Sequence, residues 1–129
     1  MLIETSNHVP DLDLKAVKST FGASKKRLLM FDYDGTLTPI VKTPSAAVPS
    51  PLLLDTLERL AKDPANIIYI ISGRDAEFLM LHLGYIKALG FSAEHGGFVK
   101  EPNSDKWINL TAGIDMSWRS DVEDIFRCE

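Results

Sequence analysis

Two carboxylates set two residues apart, Asp32 and Asp34, close the apolar run of "LLMFDYDGTLTPI", Leu28 to Ile40. In an extended backbone, residues i and i+2 point to the same side, so both acids would face one space. Two carboxylates that close repel, and one tends to hold a proton unless a cation joins them. Mg²⁺ suits the pair: it takes oxygen ligands, keeps several waters, and commonly uses one or two carboxylates with a substrate phosphate. Gly35 and Thr36 allow a tight turn whose backbone N–H groups could point at an anion. Acid, cation and amide turn together suit phosphoryl transfer, with one carboxylate as nucleophile and the other as acid/base. The plainer reading makes Asp34-Gly35 a turn and Asp32 a polar strand end, and D-x-D alone does not exclude it. The full D-x-D-G-T pattern is rarer, arising by chance in about one chain in a thousand of this length.

The elements around these acids explain how they would be held. "RLLMFDY" is too short for a helix and lacks polar alternation, which suits a strand covered on both faces, as in a parallel sheet. "IIYII", Ile67 to Ile71, reads as a second such strand and "ALGFSAE" as a third. Between the first two, "KTPSAAVPSP" is a proline-rich loop. Ser50 then caps a helix, with Pro51 at its first position and Leu53, Leu54, Leu57, Leu60 and Ala61 on one stripe. "SGRD" turns the chain, Asp75 caps the helix "AEFLMLHLG", and Gly84 stops it. "HGGFVKEPNSDKWINL" reads as a hairpin turning at Pro102 to Asp105. "GIDMSWRSDVEDIFR" reads as a final amphipathic helix with Ile114, Trp118, Val122 and Ile125 on one side. The segment from Pro10 to Gly22 is a short helix or an extended leader. Strand alternating with helix implies βαβ units and a parallel, doubly wound sheet. Ligands of such sheets sit outside the carboxyl ends of the strands, where both Asp32 and Ser72 fall.

Bulk properties narrow the function classes. The chain has 129 residues, enough for one domain, with 45% hydrophobic and 25% charged residues, an ordinary soluble composition. A net charge of −4 argues against nucleic-acid binding. No apolar run approaches a membrane helix, and the first ten residues are not a secretory signal. The lone Cys128 allows no disulfide within the chain, so the expectation is a soluble cytoplasmic protein. Cys128 has no nucleophile context. His8 and His82 read as ordinary boundary residues, and Trp107, Trp118 and Phe126 as core or interface aromatics.

"DYDGTLTPI" resembles the first motif of the haloacid-dehalogenase (HAD) superfamily of phosphatases, and "IIYIISGRD" its second. With "SAEHGGF" added, the chain is similar to trehalose-6-phosphate phosphatases, particularly the phosphatase domain of fungal trehalose synthase complex subunits. The likeness runs from about Pro10 to the C-terminus. It implies an α/β fold: a HAD-like Rossmannoid parallel sheet with flanking helices, an incomplete core and a largely absent cap domain. Residues 1–24 would be a leader and 25–129 the N-terminal part of the phosphatase core. The implied reaction is hydrolysis of trehalose 6-phosphate, or a related sugar phosphate, through an aspartyl phosphate. Asp32 would be the nucleophile; Asp34 would protonate the leaving oxygen and then activate water. The Asp32 carboxylate and the Asp34 carbonyl would bind Mg²⁺. Ser72 and the Gly73 N–H would bind phosphate, with Gly35 and Thr36 at the turn. Arg74 would reach a phosphate or sugar oxygen, or be a solvated residue at a helix start. Glu94 and His95 would contact or support the sugar, or be a satisfied strand-end pair.

Two parts of the family pattern are expected but not found in these 129 residues: a G-D-x-x-x-D motif and a lysine or arginine following a cap domain. Lys87, Lys100 and Lys106 come too early, and Asp121 and Asp124 lie in a helical pattern. Losing one such charge stabiliser commonly costs on the order of 10²–10³ in rate. The alternative expectation is therefore a catalytically incompetent truncated fragment that binds trehalose-phosphate synthase subunits. In either case "LLMFD" would present an apolar strand edge.

Overall fold

The computed structural model describes residues 11–127. Four helices, α1 (Leu14–Ala23), α2 (Pro51–Lys62), α3 (Ala76–Leu83) and α4 (Trp118–Arg127), accompany five strands. The strands are β1 (Arg27–Asp32), β2 (Asn66–Ile71), β3 (Leu89–Ala93), β4 (Phe98–Lys100) and β5 (Trp107–Asn109). They lie in one sheet in chain order. β1, β2 and β3 are parallel, and β4 and β5 add an antiparallel hairpin.

Local chemistry sets the helix starts. Ser50 Oγ accepts the Leu53 N–H at 3.2 Å, and Pro51 occupies the first position of α2, where no N–H is needed. Asp75 Oδ1 accepts the Phe78 N–H at 2.7 Å and fixes the start of α3 just beyond the β2 turn. Asp13 caps α1 in the same way. The last helix starts later than the sequence pattern predicts. Ile114 N–H is drawn back to Thr111, so Ile114 sits in a turn and the helix begins at Trp118.

One core holds these pieces together. Leu57 of α2 and Leu79 and Leu83 of α3 pack on Ile68, Ile70, Leu89, Phe91 and Ala93, all buried. Leu29 and Phe31 join from β1. Successive right-handed crossovers that step the same way put their helices on the same face, as α2 and α3 are here. Among the described residues β1 is therefore covered on one face, where its apolar run predicts cover on both. Burial alternates along β1, and Leu28 and Met30 remain 56% and 61% exposed. Tyr69, Ile71 and Val99 line the same open face with them.

Trp107 packs beside Phe91, its ring centroid 6.3 Å away, and joins the core margin. Trp118 and Phe126 do not: both are exposed on α4, which buries no residue among those described. His82 packs at a tilt beside Phe78, their ring centroids 4.6 Å apart. Lys100 is the odd member of the core, 1% exposed, its ammonium 5.3 Å above the Phe91 ring and without a hydrogen-bond partner. His8 and Cys128 lie outside the described residues.

Candidate active site

The parallel strands end side by side, and the chemistry-bearing residues sit at those ends. Asp32 is the last residue of β1, and its Cα partner across the sheet is Ile71, the last residue of β2. Ile71 in turn pairs with Ser92 of β3. Asp32, Ser72 and Glu94 therefore stand at the carboxyl ends of three adjacent strands, about 5 Å apart from strand to strand. Asp32 is exposed and open to a ligand.

After Asp32 the chain turns down into the protein and back. Tyr33 is fully buried, and its hydroxyl donates to the Ala47 carbonyl at 2.7 Å. Burial pushes its pKa up to about 12, against the pull of the Arg74 charge. The Tyr33 carbonyl accepts the Leu37 and Thr38 N–H groups, and the Gly35 N–H donates to the Thr38 carbonyl at 2.8 Å. Gly35 takes φ +84°, the left-handed region that glycine enters without cost. Its amide is thus spent within the turn, which differs from the expectation that it faces an anion. Thr36, at the tip of the turn, is exposed.

Asp34 is held by Arg74. Arg74 Nε donates to Asp34 Oδ2 at 2.9 Å and Nη2 to Oδ1 at 2.6 Å, a planar two-point pair. That hydrogen-bonded partner keeps the Asp34 carboxyl below its ordinary pKa. Nη1 donates to the Pro44 carbonyl at 2.5 Å, and the guanidinium lies 4.2 Å from the Phe78 ring centroid. The reading of Arg74 as a solvated residue at a helix start does not hold, and its pairing with Asp34 is not anticipated beside the reading that it reaches a phosphate or sugar oxygen.

Ser72 is buried at the β2 end. Its Oγ accepts the Arg74 N–H at 3.1 Å, leaving the hydroxyl hydrogen free to donate. Its backbone is tied to β3 and the turn after it: Ser72 N–H to Ser92 O, His95 N–H to Ser72 O, and Glu94 N–H to Arg74 O. Glu94 and His95 form a short 3₁₀ turn with φ of +50° and +54°, an uncommon conformation for residues other than glycine. The His95 ring sits over Gly73 so closely that a Cβ there would lie 2.5 Å from Cε1. A side chain at 73 would therefore make the His95 ring shift.

The oxygen atoms at this end fit a hard cation only in part. Among the described residues no three His, Cys, Asp or Glu side chains cluster as a metal site. The Asp34 carboxylate is occupied by Arg74, which leaves the Asp32 carboxylate and the Asp34 main-chain carbonyl. One carboxylate, one carbonyl, waters and a phosphate make an acceptable set for Mg²⁺.

Sequence reading missed Tyr33, Pro44 and Phe78 as parts of this end. Tyr33 carried a signal, being the middle residue of D-x-D, where a buried side chain forces its two neighbours outward. Pro44 and Phe78 act through a backbone carbonyl and a ring face, which leave no motif.

A family model described as trehalose-phosphatase matches residues 30–129. The chain is 52% identical over 124 residues to a trehalose-phosphatase of Schizosaccharomyces pombe, covering 96% of this chain and 15% of that protein. The C-terminal domain of Candida albicans trehalose-6-phosphate phosphatase superposes with a TM-score of 0.82 at 48% identity, over 93% of this chain and 41% of that one. A Bacteroides thetaiotaomicron phosphatase of the HAD superfamily shares the fold alone, at 21% identity and a TM-score of 0.58, over 95% of this chain and 39% of that one. The chain thus spans about 15% of the length of its curated S. pombe relative.

Proposed function

The chain belongs to the trehalose-phosphatase family, and from that premise we propose that it carries the nucleophile side of a site hydrolysing trehalose 6-phosphate to trehalose and orthophosphate. The observation that carries this reading is the row of Asp32, Ser72 and Glu94–His95 at the carboxyl ends of β1, β2 and β3. It is where an open parallel sheet receives ligands.

Asp32 attacks the phosphorus in line with the sugar oxygen and becomes an aspartyl phosphate. Asp34, once one of its oxygens is released from Arg74 and protonated, gives that proton to the departing sugar oxygen, then takes one from the water that cleaves the acyl phosphate. The Ser72 hydroxyl and the Gly73 N–H hold phosphoryl oxygens, with Thr36 at the rim of the turn that Gly35 makes possible. Glu94 and His95 border the space for the sugar. The Asp32 carboxylate and the Asp34 carbonyl would hold Mg²⁺, which when bound supplies charge neutralisation at the phosphoryl oxygens.

Orthophosphate release from trehalose 6-phosphate by residues 1–129 with Mg²⁺ tests the reading. Release that vanishes in Asp32→Asn supports it. No release from soluble, folded wild-type chain would leave residues 1–129 as a non-catalytic piece.

A further inference from the structure

Asp34 and Arg74 are forty residues apart and meet only because the turns after β1 and β2 lie side by side. We infer that Arg74 is a positioning residue for Asp34: its guanidinium fixes where the carboxylate sits at the reacting end of the sheet, and does so instead of binding substrate. The inference rests on the phosphatase reading above.

Three contacts fix the guanidinium itself. Two nitrogens grip both oxygens of Asp34, at 2.9 and 2.6 Å. The third takes the Pro44 carbonyl at 2.5 Å, which sets the rotation of the plane. Phe78 lies against the guanidinium, its centroid 4.2 Å from Cζ, and Tyr33 lies 5.7 Å away. The Arg74 side chain is 13% exposed, against 42% for Asp34. The arginine is therefore anchored inside and the carboxylate faces out. An arginine that recruits an anionic substrate needs a guanidinium free to turn toward it, whereas three of the five N–H groups of Arg74, one on each nitrogen, already donate within the chain and fix its plane.

A carboxylate that moves a proton in the transition state must be aimed before substrate arrives, since a misplacement of about 1 Å can cost about 10²-fold. A flat, forked cation holds two carboxylate oxygens and a carbonyl in one fixed plane; a lysine ammonium, with three donors on a single rotating nitrogen, does not reproduce that geometry. Arg74→Lys should thus lower kcat about 10–100-fold and leave KM within about 3-fold.

The test has two readouts. In ¹⁵N-labelled chain 1–129, the Arg74 Nε–H signal should exchange slowly with water and lose that protection in Asp34→Ala. An Arg74 signal exchanging as fast as that of exposed Arg119 overturns the inference. In steady-state hydrolysis of trehalose 6-phosphate, a loss confined to kcat in Arg74→Lys supports positioning. A rise in KM with kcat kept makes Arg74 a substrate ligand and overturns it. If wild-type chain releases no orthophosphate, the phosphatase reading fails, and the Nε–H exchange still decides whether Arg74 clasps Asp34.

Discussion

Replacing Lys100 by methionine should stabilise the protein. Lys100 is 1% exposed on the helix-covered face of the sheet, and its Nζ has no hydrogen-bond partner. Leaving a buried polar group unsatisfied costs about 1–3 kcal/mol, and more if it is charged. The Phe91 ring, 5.3 Å from Nζ, returns about 0.5–1 kcal/mol to a charged amine. Methionine keeps the apolar stem and fills the same space with a soft, unbranched end. The net expectation is a gain of about 1–2 kcal/mol at neutral pH, a rise of roughly 0.5–1 M in the urea midpoint for a small domain. Burial, reinforced by the nearby Lys87 charge and only partly offset by Asp105, holds the Lys100 pKa below the ordinary lysine value. The unfolded chain therefore binds the proton more tightly than the folded one. Wild-type stability gains from this group as pH rises through the folded pKa, and the contribution is complete above the unfolded value of about 10.4. The advantage of Lys100→Met should accordingly narrow as pH approaches that value. Urea melts of both proteins between pH 7 and 10 measure it. A variant less stable by 1 kcal/mol or more at pH 7, or a gap that widens with pH, would refute the reasoning.

Tyr33→Phe removes the donor to the buried Ala47 carbonyl and should cost about 1–2 kcal/mol in urea melts. The Tyr33 pKa is raised to about 12, so its linked stability is intact below about pH 10 and lost as pH rises through 12. Wild type should thus weaken more steeply than Tyr33→Phe over that window. Gly73→Ala puts a methyl group 2.5 Å from His95 Cε1, so the ring should swing away. Its imidazole NMR signals should move while circular dichroism stays native, and unmoved signals would contradict the contact. Met30→Lys charges the open face of an edge strand and should reduce concentration-dependent self-association in sedimentation, with stability changed by less than about 0.5 kcal/mol.

The parts legible in the sequence are those decided within a few residues. Ser50-Pro51 and Asp75 start their helices wherever the chain goes next, because a side chain caps an N–H three residues on. Asp32 and Ser72 could be placed at strand ends because apolar runs stop there. What could not be read depends on partners far along the chain. The unbroken apolar run Leu28–Phe31 predicts cover on two faces, yet which faces the helices take follows from the direction of both crossovers. Arg74 in "SGRD" gives no sign that its partner is an acid in the preceding motif. The Gly35 amide looked free until the Thr38 carbonyl turned back on it. Nothing in the hairpin segment marks Lys100 as buried, and only the β4 register drives it inward opposite Phe91.

The backbone stitches between the β2 and β3 ends reach past the sheet itself. Ser72, Arg74, Glu94 and His95 exchange hydrogen bonds that join the two loops into one ladder extension. Those loops should open together with the central strands. The segment from Tyr33 to Ala47 is fastened mainly through side chains: Tyr33 and Ala47 are buried in the core with Leu37 against them, the Tyr33 phenol bonds the Ala47 carbonyl, and Arg74 holds Asp34 and Pro44. Hydrogen exchange should find its amides less protected than those of Glu94 and His95. The first acid thus rides on the sheet itself, and the second on a segment that side chains hold against it.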